Sequence, residues 1–95
     1  MRSYELVIIL SSKLDSKKQD KITDKLKKTI SDLKGKLLLS EVWGLKNLAY
    51  PISKQDQGIY FYYKLTLEAD KLLTLEKTIK LEENILRFLL IKLET

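Results

Sequence analysis

Apolar and polar residues alternate from the start of the chain. Tyr4, Leu6, Ile8 and Leu10 occupy one set of positions and Ser3, Glu5, Val7 and Ile9 the other, the period-two signature of a strand. The period then changes. Ile22, Leu26, Ile30 and Leu33 recur at steps of four, four and three, which stacks them on one face of a helix. Asp15 is placed to cap its first turn, and Gly35 to end it in a left-handed conformation. Leu37 to Ala49 reads as a second strand with a bulge or close approach at Gly44. Ser53 to Gly58 (SKQDQG) is polar and ends in glycine, which predicts a loop. In the third strand Ile59, Phe61, Tyr63, Leu65 and Leu67 alternate with Tyr60, Tyr62, Lys64 and Thr66. Asp70 is a second candidate cap, ahead of a helix with Leu72, Leu75 and Ile79 on its buried stripe. Glu82, Glu83 and Asn84 interrupt the pattern. Ile85 to Leu93, nearly all apolar around Arg87 and Lys92, predicts a largely buried last strand.

The order βαββαβ is the α+β, ferredoxin-like split βαβ arrangement, a four-stranded antiparallel sheet with two helices on one face. No internal repeat or low-complexity segment occurs. Since strand residues alternate faces, the uncovered face receives Ser3, Glu5, Val7 and Ile9 from strand one. Strand three adds Tyr60, Tyr62, Lys64 and Thr66, and strand four adds Arg87, Leu89, Ile91 and Leu93 if Phe88 and Leu90 are core. A contiguous apolar face marks an interaction site, so Val7, Ile9, Tyr60, Tyr62, Leu89 and Ile91 are candidates for a protein-partner surface. Two other readings stay open at this point. A one-residue slip on strand four would scatter the patch. RNA-recognition domains share this topology and stack bases on outward aromatics, although QGIYFYYK has Gln57 and Ile59 where that motif has a basic residue and an aromatic.

Composition narrows the function classes. Ninety-five residues suffice for one domain, and 44% hydrophobic with 33% charged residues describes a folding, soluble chain. The run Leu6 to Leu10 is too short for a signal-peptide core or membrane span, so no export and no membrane contact are expected. Cysteine and histidine are both absent, which removes disulfides, thiolate metal sites and the commonest general base. No phosphate loop, metal spacing or nucleophile constellation appears, and the adjacent Glu82 and Glu83 do not converge on one reacting atom. The expectation is therefore no enzyme, no cofactor and no small-molecule substrate.

The net charge of +5 favours a polyanionic partner. Nine lysines and four aspartates between Lys13 and Lys36 account for the whole surplus. Lys17, Lys18, Lys21, Lys25, Lys27 and Lys28 lie mainly off the apolar stripe. They could neutralise phosphates, but Asp20 and Asp24 among them, with Asp24 and Lys28 at helix-pair spacing, favour a solvated face. A second basic feature is GLKNLAYPI, Gly44 to Ile52. Pro51 cannot donate to a ladder and biases Tyr50 toward extended backbone, so strand pairing should weaken there. Tyr50 can then stack and hydrogen-bond, while Lys46 and Asn47 can meet phosphate and sugar groups. Lys54 extends the same RNA-facing lip.

Over essentially its whole length the chain resembles the bacterial-type small-subunit ribosomal protein six family. The resemblance is carried by MRSYELVIIL, GLKNLAYPI, QGIYFYYKL and ILRFLLIK, with Gly44, Lys46, Leu48, Ala49, Tyr50 and Ile52 standing where the family has them. It implies a ferredoxin-like fold without catalysis, located in the ribosome of a bacterial cytoplasm or of an organelle. It also implies binding to the central domain of small-subunit rRNA, and a heterodimer with small-subunit ribosomal protein eighteen that would cover the apolar face. Arg2, Lys46, Tyr50 and Arg87 match basic or aromatic positions of the family's RNA-facing side; Asn47 departs, since a second basic residue is common there. Many members continue into a polar or acidic tail past the position of Thr95, and no role of such a tail is expected here. The rival expectations are a free-standing single-strand RNA binder using Tyr60 and Tyr62, and a ligand-binding domain of the same fold.

Overall fold

The computed structural model describes residues 1–52 and 54–93. Strand β1 (Arg2–Ser11) leads to helix α1 (Ser16–Asp32), then to the long strands β2 (Lys36–Ile52) and β3 (Gln55–Leu67). A 3₁₀ turn (Ala69–Lys71) opens into helix α2 (Leu72–Lys80), and β4 (Ile85–Lys92) closes the order. The strands form one sheet in the order β2-β3-β1-β4, every neighbouring pair antiparallel. This is the ferredoxin-like arrangement that the alternation predicts, with β1 and β3 central.

The alternation also locates the core. Tyr4, Leu6, Ile8 and Leu10 of β1 and Phe61, Tyr63, Leu65 and Leu67 of β3 are buried beneath Ile22, Leu26 and Ile30 of α1 and Leu75 and Ile79 of α2. Each fully buried aliphatic side chain of this set contributes about 1.5–3 kcal/mol by leaving water. Helix α1 begins as read: Asp15 Oδ1 accepts from the Lys18 amide at 2.8 Å.

Several local expectations are corrected. The left-handed residue after α1 is Lys34, at φ 63°, not Gly35. The Lys34 amide donates to Ser31 O and the Gly35 amide to Ile30 O, both at 2.9 Å, the paired bonds of a Schellman end. Gly35 serves a different need, since a Cβ there would sit 2.6 Å from Thr66 O. Asp70 does not cap α2. The helix grows out of the 3₁₀ turn, where the Leu72 amide already bonds to Ala69 O and no side-chain cap forms.

The expected SKQDQG loop is mostly strand, because β3 begins at Gln55; Ser53 lies outside the described residues. Polar composition suits a strand that buries neither face, and side chains secure this one. Ser11 Oγ donates to Gln55 Oε1 at 2.8 Å, and Gln57 Nε2 donates to Asn47 Oδ1 at 3.0 Å. Strand β4 is an edge rather than a buried strand: Leu89 and Ile91 are 55% and 45% exposed. Its apolar residues serve both faces, and only one face is covered.

Candidate functional site

The ladder places the open-face residues in rows across the sheet. Lys46 pairs with Gly58 and Gly58 with Ser11 at one end; the next row is Gly44, Tyr60, Ile9 and Arg87. Then come Glu41, Tyr62, Val7 and Leu89, followed by Leu39, Lys64, Glu5 and Ile91. The parity read from sequence holds on β1, β3 and β4, so no slip scatters the patch. Lys46 and Arg87 stand in the first two rows, while the third and fourth carry Val7, Leu89, Leu39 and Ile91 with Glu41, Glu5 and Lys64 among them.

Strand β2 builds the cationic end by leaving the ladder. Its register shifts between Val42 and Gly44, with Gly44 at φ 85°, and again between Asn47 and Ile52, which pair with Gln57 and Gln55. Leu48 to Pro51 therefore bulge out of the sheet, as the missing donor of Pro51 predicts. The bulge carries Tyr50, 60% exposed, to Arg87 on the far edge strand. Arg87 Nη1 donates to Tyr50 Oη at 3.2 Å, with the guanidinium 5.7 Å from the ring centroid. That hydrogen bond and the positive charge lower the Tyr50 phenol pKa. Thus two residues 37 positions apart in sequence form one polar unit.

A second unit sits beside it. The Trp43 and Tyr62 rings stack with centroids 5.0 Å apart and planes 5° from parallel. Lys46 Nζ lies 5.2 Å from the Trp43 centroid and 5.7 Å from that of Tyr60, within cation–π range. Tyr62 Oη donates to Glu5 Oε2 at 2.6 Å. This bond to a carboxylate, reinforced by burial and the charges of Glu5 and Glu41, pushes the phenol pKa up to about 12. Tyr62 is thus engaged at its ring and its hydroxyl, which argues against it as a platform for bases.

Of the residues expected to meet RNA, Lys46, Tyr50 and Arg87 converge on this end. Asn47 and Lys54 flank them at the β2–β3 tip, where they line a polar groove with Lys13 and Gln57. Lys54, at φ 63°, is exposed. Arg2 lies elsewhere: it pairs with Leu67 at the opposite end of β1, seven residues from Ile9, or roughly 23 Å along a strand. On the apolar side Val7, Tyr60 and Tyr62 are half-buried, and Leu89 and Ile91 exposed. Ile9 is a correction: although on the open face it is only 8% exposed, because the bulge folds over it. Gly58 permits this, since a Cβ there would strike Ile9 Cγ2 and touch Leu48 Cδ2 at 3.5 Å.

Sequence reasoning missed Trp43 and the part played by Glu5. Trp43 is the extra residue of the Gly44 bulge, so simple alternation does not fix its face; the tryptophan–glycine pair was the available signal. The α1 lysines lie on the helix layer, across the sheet from the lip, and among the described residues no ion pair forms on that helix. Among the described residues no group of acidic side chains could hold a metal, and no helix is long and apolar enough to cross a membrane.

Comparison with known proteins agrees with this architecture. Residues 3–92 match the model of the family described as Ribosomal protein S6. Small ribosomal subunit protein bS6 of Rickettsia felis is 38% identical over 95 residues, covering all of this chain and 78% of that protein. The bS6 protein of Corynebacterium efficiens is 35% identical over 94 residues, 99% of each. The crystal structure of 30S ribosomal protein S6 from Thermotoga maritima superposes with a TM-score of 0.92 at 25% identity, over 97% of this chain and 87% of that one. An uncharacterised protein of the same organism shares the fold alone, with a TM-score of 0.61 at 17% identity. The chain belongs to the ribosomal protein S6 family, non-enzymatic structural proteins of the small ribosomal subunit.

Proposed function

We propose that the chain binds the central domain of small-subunit rRNA through its cationic lip, while its open sheet face holds small-subunit ribosomal protein eighteen. One observation carries this reading: a cluster of cations and tyrosines directly adjoins an apolar surface on the same uncovered face. Lys46, Tyr50 and Arg87, flanked by Asn47 and Lys54, meet the RNA backbone; Arg2 makes a separate contact at the other end of β1. Val7, Tyr62, Leu89 and Ile91 face the protein, and Tyr60 stands where that surface meets the lip. Phosphate contacts position the complex, and the partner completes a joint surface, so affinity is shared between them. The work is done in the ribosome of a bacterial cytoplasm, as the bacterial relatives favour.

The test is binding to an rRNA central-domain fragment, with and without protein eighteen, over a salt series. Tight, salt-sensitive binding that needs the partner supports the shared surface. Lys46→Ala with Tyr50→Ala should weaken that binding without unfolding the chain. Indifference to the fragment under both conditions, with unrelated single strands bound instead, would favour the free-standing RNA binder.

A further inference from the structure

A cleft lies between the Leu48–Pro51 bulge and the sheet. Ile9, Leu48 and Ile52 give it an apolar lining, Tyr50 and Tyr60 add two aromatic rings, and Arg87 adds a guanidinium. It holds about 110 Å³ and is half open to solvent, well under the roughly 300–1,000 Å³ of clefts that enclose a whole small ligand, so it can seat one flat ring at its mouth and nothing larger. Each tyrosine has a cation against it: Arg87 lies 5.7 Å from the Tyr50 centroid, and Lys46 Nζ 5.7 Å from that of Tyr60.

We propose that this cleft takes a single unstacked nucleotide of the bound RNA, its base against the tyrosines and its phosphate on Arg87 and Lys46. The inference rests on the reading of the lip as RNA-facing and adds what that reading leaves open, namely the form of RNA recognised. A duplex backbone needs only surface cations. An apolar cleft with aromatic walls adds nothing to phosphate binding, but it suits a splayed base, which stacks on tyrosine and guanidinium planes. The two cations suit the rest of the nucleotide. Both side chains are long and rest on the rings through cation–π contact alone or with one hydrogen bond to a phenol, so an entering base displaces them toward its own phosphate. Charge complementarity thus selects a nucleotide over an apolar peptide side chain, which would leave both cations without an anion.

Ala49, exposed and also on the cleft wall, supplies the test. Ala49→Trp fills the cleft and removes no cation, and its folding is verified by thermal unfolding; Ala49→Phe serves as a second, smaller filling with the same expected direction. Affinity is measured by fluorescence anisotropy, with the full chain and its protein partner, for an RNA helix carrying one unpaired nucleotide and for the same helix with that nucleotide deleted. The unpaired form should bind about tenfold tighter, as loss of one base–aromatic stack implies. Ala49→Trp should erase that difference while leaving the affinity and salt dependence of the plain helix intact. Equal binding of both RNAs by the unaltered chain, with Lys46→Ala still weakening both, overturns the cleft and leaves the RNA-facing lip standing. If Lys46→Ala and Tyr50→Ala change neither affinity, the lip and the cleft fall together.

Discussion

The two faces of the sheet are held by different physics. On the covered face, aliphatic residues from β1 and β3 meet two helices and are excluded from water, so stability there follows buried apolar area. On the open face, Trp43 stacks on Tyr62, Lys46 and Arg87 rest on aromatic rings, and Tyr62 bonds to Glu5. These contacts are individually small and solvent-accessible, and they fix where cations and rings stand. One face maintains the fold, and the other presents an arranged surface.

The sharpest way to break this comparison is a pair of truncations. Leu65 is fully buried and Leu89 is 55% exposed. Leu65→Ala should destabilise the chain by about 2–5 kcal/mol through lost transfer energy and a residual cavity, and Leu89→Ala by no more than about 1 kcal/mol. Urea unfolding of both variants measures the difference. Similar losses would mean that the open face also serves as core.

Binding should show the reverse order. Val7 and Ile91 lie in adjacent rows of the open face, so Val7→Lys or Ile91→Lys would place an unpaired charge in the proposed protein contact. Burying it costs on the order of 2 kcal/mol or more, about a thirtyfold loss of affinity for protein eighteen, with urea midpoints little changed. Calorimetric titration of the folded variants decides this, and a variant that still pairs normally would move the contact off the face.

How much of this could be read from the sequence differs by face for the same reason. The covered face obeys strict alternation, so Leu6, Tyr63 and Leu65 declare themselves, and the topology follows. The open face depends on departures from alternation. The bulge at Gly44 turns Trp43 onto Tyr62, and the bulge at Leu48 to Pro51 brings Tyr50 to Arg87 and covers Ile9; only the proline and glycine hinted at either. Lys34 shows the limit from another side, since it takes the left-handed position while the neighbouring glycine is reserved for close packing against Thr66.

Gly58 lets the bulge close over one end of the open face. Gly58→Ala should crowd Ile9 and lift Leu48 from the sheet, costing about 1–3 kcal/mol as overpacking does. In thermal unfolding the loss should be smaller than that of Leu65→Ala. Proton NMR should also show the Tyr50 ring signals shifting as the ring leaves Arg87, whereas unmoved signals would mean that the bulge does not depend on this glycine.

The smallest effect concerns the hydroxyl of Tyr62. Tyr62→Phe removes the bond to Glu5 and keeps the ring on Trp43, so it should cost about 0.5–1.5 kcal/mol. Its pH dependence has a definite sign. Folding raises this phenol's pKa from 10.0 to about 12, so its stabilisation is whole below pH 10.0 and is lost as pH climbs through 12. Tyr63 behaves alike, since burial and the charge of Asp24 also push it up to about 12. Tyr50 runs the other way, because Arg87 favours its ionised form. Across pH 10 to 12 the stability of the unaltered chain should therefore fall more steeply than that of Tyr62→Phe, with Tyr63 sustaining a residual slope in the variant. Equal slopes would mean that the Tyr62–Glu5 bond contributes nothing in solution, and the open face would then be ordered by ring stacking and cations alone.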